Sequence, residues 1–383
     1  MSPPSERRAG AGLSDAEHAA TAASEAAARA AFALDEGRCD LAVVFASAAH
    51  VRQAEEVLAA VRDVLEPRAL IGCGAAGILG EGRELESGPA LAVWASSLPD
   101  AAVETFHFAG ADAAALERSE RRTDEALILL ADPFTHPADQ LLADVERLRP
   151  GTPVVGGLAS ASPGALFRDA EVHRSGAVGA LITGVQVLPC VSQGAEPVGP
   201  EMAVTAARGN VIAELAGKPA VERLGEVIAE LPPPERDLAQ DGVLLGIVID
   251  ENRPEHRRGD FLVRPIAAAG RASGAIALGE QVRVGQTVRL HVRDAASADA
   301  DLREALRDQA YALGSDGAAG ALLFTCNGRG SNLFDVPDHD AAALEDALGT
   351  PAAGFFCAGE IGPVGGRNFL HGYTATIAVI PAA

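Results

Sequence analysis

The feature that most constrains this fold is an order of elements that recurs along the chain: apolar run, amphipathic helix, second apolar run, glycine-rich loop, further strand. The first instance opens with LAVVFAS (41–47), continuously apolar as in a strand buried on both faces. Residues 53–65 follow, with Ala54, Val57, Leu58, Val61, Val64 and Leu65 on one helical stripe. After Pro67 come a short strand at 69–71, a glycine-rich loop and a strand at 90–95. The order returns as ALILLAD (126–132), a helix at 138–149, PVVGG (153–157), a small-residue loop and AVGALIT (177–183). It returns again as a strand at 320–326, a helix at 339–348, the run 353–356 with its glycine loop, and YTATIAVI (373–380). Cys73, Gly82 and Gly88 each stand the same number of positions before Cys357, Gly366 and Gly372. Repetition of this kind predicts a duplicated architecture. We therefore expect an α/β protein of two domains, with repeated strand–helix–strand–glycine-loop units and mixed β-sheets flanked by helices. Its pseudo-symmetric halves are expected to face each other, with the glycine loops converging between them.

At 383 residues the chain is long enough for two ordinary domains, each with its own core. The boundary is expected in VSQGAEPVGPEM (191–202), where glycine, proline and polar residues collect. This gives domains at 14–198 and 199–383, preceded by a disordered stretch at 1–13. Ser14 and Glu17 read as a capping box for an alanine-rich helix from about Asp15 to Leu34, stopped by Gly37. In the second half, Gly209 and Asn210 read as a hairpin turn. A helix at 219–231 ends at the prolines 232–234, and a buried strand lies at 242–250. Several strands follow over 261–293, then a helix at 301–313.

A net charge of −22 excludes a phosphate-binding basic face and disfavours an anionic membrane surface, so neither nucleic acid nor membrane is an expected partner. Lys218 is the only lysine; with so much alanine, the composition is that of a high-GC bacterial gene. No uninterrupted apolar segment marks a signal peptide, and none reaches the ~18 residues of a membrane span. The five cysteines are scattered without a CxxC pair, which suits a reducing cytoplasm and gives no metal knuckle. No cofactor motif stands either. Gly72, Gly74 and Gly77 form a GxGxxG, but glycines and a proline break the stretch that a dinucleotide site would need as a helix.

Two loops carry candidate chemistry. In CNGRGSNLF (326–334), Asn327, Arg329, Ser331 and Asn332 present donors and acceptors just after a buried strand, where α/β sheets place ligands; a polar turn is the alternative. In the loop at 357–372, Glu360, Arg367, Asn368 and His371 sit among glycines that let another group approach closely. The alternative there is a hairpin in which Glu360 pairs with Arg367 structurally. Cys357 at a strand end, with Glu360 and His371 nearby, also admits a nucleophile–base–orienter set.

GFFCAGEIGPVGGRNFLHGYT (354–374), preceded by LFTCNGRGSNLF (323–334), resembles the C-terminal half of the FIST family. CDLAVVFASAAHV (39–51) and the segment 69–96 are similar to its N-terminal half. The resemblance covers roughly residues 38–380. It implies an intracellular sensory module that binds a small ligand, an amino acid or related metabolite, and acts in signal transduction. On that reading Asn327, Arg329, Ser331, Asn332, Cys357, Glu360, Arg367, Asn368 and His371 line the ligand site. Glu360 would take the ammonium, and Arg329 or Arg367 the carboxylate. An enzyme using Cys357 and a protein-interaction scaffold are the alternatives. With no output segment recognised on either side, the signal is expected to pass through a partner protein or a ligand-driven change in assembly.

Overall fold

The computed structural model describes residues 6–34, 38–110, 113–240, 242–270 and 272–383. Two compact units emerge: one from the chain up to Val191 together with Leu302–Ala383, the other from Ser192–Asp301. The mixed α/β character read from the sequence is what the structure has.

The first unit contains three modules of one design. Module one comprises β1 (Arg8–Ser14), α1 (Ala19–Ala33), β2 (Leu41–Ser47), α2 (Ala48–Val51), α3 (Ala54–Leu65), β3 (Ala69–Ala75), β4 (Ile78–Gly80), β5 (Arg83–Leu85) and β6 (Leu91–Ser97). Module two comprises β7 (Ala102–Phe108), β8 (Glu125–Ala131), α4 (Ala138–Leu148), β9 (Val154–Leu158), β10 (Leu166–Arg168), β11 (Glu171–His173) and β12 (Ala177–Thr183). After β13 (Leu188–Gln193) the chain enters the second unit. There β14 (Ala195–Arg208), β15 (Val211–Leu215), β16 (Lys218–Pro219), α5 (Ala220–Glu230), α6 (Pro233–Gln240), β17 (Val243–Val248), β18 (Phe261–Ala269), β19 (Ile276–Leu278) and β20 (Thr287–Arg293) lead to α7 (Ala295–Leu313). Strand order β14-β20-β17-β18-β19-β15, with β14 pairing back onto β15, closes six strands into a barrel around Leu245, Ile247, Val288 and Leu290. Module three completes the first unit with β21 (Ala318–Cys326), α8 (His339–Leu348), β22 (Ala352–Cys357), β23 (Glu360–Val364), β24 (Arg367–His371) and β25 (Thr374–Pro381).

In each module two parallel strands flank a helix: β2 with β3, β8 with β9, β21 with β22. An antiparallel strand joins the first of each pair: β6, β12 and β25. The second strand of each pair takes its outer neighbour from another module. Hairpin β10–β11 of module two docks on β3, β23–β24 of module three on β9, and β4–β5 of module one on β22. The exchange is cyclic, so the expected two facing halves are corrected to three interlocked modules. All three hairpins turn through two residues, at 81–82, 169–170 and 365–366, and Gly82 and Gly366 supply positive φ there.

Alternation explains the layers. Leu41, Val43 and Phe45 face a central core shared by the three sheets, while Ala42, Val44 and Ala46 face α1 and α3. The N-terminal expectation is also corrected: residues 8–14 form β1, paired along its whole length with β6. Gly10 and Gly12 make this possible, because a Cβ there would lie 2.0 and 2.1 Å from the Ala30 and Ala26 carbonyl oxygens of α1. Residues 1–5 and Gly37 lie outside the described residues. Ser14 caps nothing: its hydroxyl donates to Glu25 and accepts from the Ala16 N–H, and α1 begins at Ala19 after an uncapped His18. The prolines after α5 open α6, where a proline's missing N–H costs nothing in the first turn.

Candidate functional site

The loops that follow β3, β9 and β22 meet. The Ser160 and Ala161 N–H groups donate to Gly74 O, the Ala76 N–H donates to Ser160 Oγ, and Ser160 Oγ donates to Phe356 O. The Phe356 N–H donates to Gly77 O, and Leu158 exchanges bonds with Ala358 and Gly359. Gly157 lets the strands close: a Cβ on it would lie 2.4 Å from Cys357 Sγ.

Beside this junction module three buries a charged cluster. Arg329 and Asp340 are both wholly buried and paired through two bonds, Nε to Oδ2 at 2.7 Å and Nη2 to Oδ1 at 2.8 Å. Thr325 Oγ1 and His339 Nδ1 also donate to that carboxylate. Burial works against the Asp340 charge, yet Arg329 and these donors hold its carboxyl well below the usual range. Burial opposes the Arg329 charge too, and Asp340 more than compensates. Glu84, from the β5 that module one lends, accepts the N–H groups of Asp340 and Ala341 on one oxygen at 2.9 and 3.0 Å. A helix N-terminus attracts a carboxylate in this way. Burial and the Asp340 charge nevertheless push Glu84 up to about 7.

Glu360 opens β23 and is wholly buried. Its Oε2 accepts the Thr374 N–H at 3.1 Å and hydroxyl at 2.8 Å, whereas Oε1 has no hydrogen-bond partner. Burial pushes this carboxyl up to about 8, with Thr374, the Cys326 thiol and the Arg329 charge pulling the other way. Arg329 Nη1 is likewise buried without a partner. No ion pair joins Arg329 to Glu360 among the described residues, although each lies within the other's field. Counted back from the hairpin turn, Glu360 corresponds to Ala76 of module one, so this carboxylate breaks the repeat.

Cys326, half-buried at the end of β21, faces Glu360, and burial followed by that carboxylate's charge pushes its thiol up to about 12. Cys357 is wholly buried, and burial raises its thiol well above the ordinary value. A nucleophile needs the thiolate, so the geometry works against Cys357 in that role.

The structure brings some of the sequence-derived residues together and separates others. Arg329 and Glu360 share the buried cluster, while Asn327, Ser331 and Asn332 lie exposed above it. Ser331 donates to Glu86 through its N–H and hydroxyl, and Asn332 Nδ2 donates to Asn327 O. His371 pairs with Glu360 across the β23–β24 ladder, and its Nε2 lies 3.0 Å from Gly362 O. Arg367 and Asn368 sit at the far end of that hairpin. Arg367 is exposed over the Phe369 ring and is not paired with Glu360, and Asn368 stitches Thr152 O and the Val154 N–H. Asp340, Thr374, Cys326 and Glu84 join the cluster without being singled out by the sequence pattern. Asp340 carried one signal, a carboxylate in the first turn of a helix that follows the Arg329 loop.

These elements define an α/β protein with an internal charged site at a junction of loops. Residues 40–218 match the FIST N domain and residues 220–363 the FIST C domain, so the chain belongs to the FIST family. FIST domains are associated with sensory signal transduction. The chain is 46% identical over 382 residues to the uncharacterized protein Rv0628c of Mycobacterium tuberculosis, covering 97% of this chain and 99% of the relative. It is 44% identical over 382 residues to the uncharacterized protein Mb0898c of Mycobacterium bovis, covering 97% and 98%. No helix among the described residues is long and apolar enough to cross a membrane.

Proposed function

We propose that this protein is a cytoplasmic bacterial sensor whose input is an amino acid or closely related zwitterion, bound between Glu360 and Arg329. One observation carries the reading: two wholly buried ionisable side chains, one acidic and one basic, in one cluster, each keep one polar atom without a partner. A buried unpaired polar atom costs about 1–3 kcal/mol, and a ligand that completes the two of opposite type in this cluster would recover that cost. An ammonium against Glu360 Oε1 and a carboxylate against Arg329 Nη1 would complete both. Asp340 fixes the Arg329 guanidinium through its other two nitrogens, so binding orders little that is not already held. The exposed Asn327, Ser331 and Asn332 form the rim through which the ligand enters. The output is a partner protein that reads the loop junction.

The test is calorimetric titration with the common amino acids at pH 6.0 and pH 8.5. Glu360 is protonated below about 8, so capture of an ammonium releases that proton. Affinity should rise about tenfold per pH unit up to that value and level off above it. Glu360→Gln should bind at least ~30-fold more weakly and lose this pH dependence. Binding that is unchanged in Glu360→Gln, or independent of pH, would sink the proposal.

A further inference from the structure

The charged cluster leaves a second feature of the first unit unused. A cavity of ≈ 420 Å³ lies between the C-terminal half of α8, the strands β21 and β22, the β4–β5 turn and the last residue of α1. That volume is within the range of small-ligand sites, about 300–1,000 Å³. Its walls are Ala11, Leu79, Leu323, Leu344 and Ala353, an apolar body-binding surface. Every charged group that lines it is acidic: Glu81 on the hairpin turn and Glu345 on α8. Arg29 reaches Glu81 at 3.5 Å and compensates it in part, and Glu81 also accepts the Leu13 N–H at 3.2 Å. Glu345 has no ion pair or side-chain hydrogen bond among the described residues. Its carboxylate lies against the backbone of Gly82, where a Cβ would come within 1.7 Å of Oε2, so only glycine leaves room for the carboxylate at the cavity rim. Ala33 is the last residue of α1, and Glu345 and Gly349 belong to the last turn and C-cap of α8. Helix C-termini carry partial negative charge, adding to the two carboxylates.

We infer that this cavity is a binding site for an organic cation, a primary amine carried on a compact apolar body, separate from the Glu360 cluster. The ammonium sits at Glu345 and the C-terminal carbonyls of α8, and the hydrocarbon fills the alanine–leucine walls. Neutral molecules of the same shape gain only the apolar contact, and anions are repelled.

Cyclohexylammonium is a suitable probe, compared by calorimetry with cyclohexanol and cyclohexanecarboxylate on the full chain. The expected result is saturable binding of the amine, with the alcohol at least ~10-fold weaker and the carboxylate undetectable. Glu345 is exposed, so Glu345→Gln should weaken the amine by about three- to fivefold. Ala33→Phe changes an exposed residue at the mouth and should abolish binding while Tm stays within 2–3 °C of the wild type, about the shift of 1 kcal/mol. Failure of the amine to bind overturns the inference. So does equal binding of the three probes, or amine binding that survives both substitutions.

Discussion

Replacing Asp340 by alanine isolates the physics of the buried cluster. The substitution leaves the Arg329 guanidinium wholly enclosed with neither of its two short bonds, and deprives Thr325 and His339 of their acceptor. Removing one member of a buried pair costs about 3–5 kcal/mol, because the surviving charge stays desolvated. The two additional orphaned donors place the change toward the upper end. At about 2–4 °C per kcal/mol for a unit of this size, Tm should fall by roughly 10 °C or more. Urea unfolding at pH 7 gives the same quantity as a free energy. The double variant Arg329→Met, Asp340→Leu removes both charges and should recover most of the loss. The pH dependence follows from the sign of the shift: the folded carboxyl lies below its unfolded value, so the stabilisation is full above about pH 4. It is lost as pH falls toward the folded value. A loss in Asp340→Ala below about 1 kcal/mol, or a double variant no more stable than the single one, would refute the reasoning.

Glu360 gives the opposite sign. Its folded pKa of about 8 stands above the ordinary 4.5, so stability is full below about 4.5 and declines as pH rises toward 8, by up to about 1.4 kcal/mol per unit. Glu360→Gln should flatten that slope in urea titrations at pH 5, 6.5 and 8; a variant with the wild-type slope would contradict the assignment. Iodoacetamide at pH 7.5 should label the native protein slowly, Cys326 first and at least ~100-fold below free cysteine, with Cys73 and Cys357 last by mass spectrometry. Rapid labelling of Cys357 would restore it as a reactive group. Gly157→Ala sets a methyl 2.4 Å from Cys357 Sγ and should lower stability by about 1–3 kcal/mol; Gly279→Ala, with open space around it and no positive φ, is the uncrowded control.

Periodicity made the modules readable, because a strand buried on both faces and a one-sided helix leave different patterns. LAVVFAS, ALILLAD and the run ending at Cys326 all lie where those patterns put them. Three against two was not readable. Strands β4, β5, β10 and β11 are three residues each, too short to show alternation, and their pairing with another module is a long-range choice. β1 is not legible because Gly10 and Gly12, ordinarily weak strand residues, are there for the close approach of α1. At the candidate site, residue type draws attention to Arg329 and Glu360, but spacing cannot supply Asp340 as the partner of the arginine. Nor could it turn Arg367 and Asn368 away to the other end of their hairpin.

The cyclic exchange of hairpins also sets an order of events during synthesis. Leu79 belongs to the opening module, yet the strand it must pair with is centred on Gly354. At about 5–20 residues per second the ribosome delivers that strand roughly 15–55 s after the hairpin itself. Through that interval the first hairpin has no sheet to join, and the groove at β22 does not yet exist. A closed ring has no free end at which to begin, so the third module, made after the other two and carrying Arg329 and Glu360, is the one that locks them. A chain truncated before β22 should therefore lack both the site and a stable first unit, however complete its opening modules are.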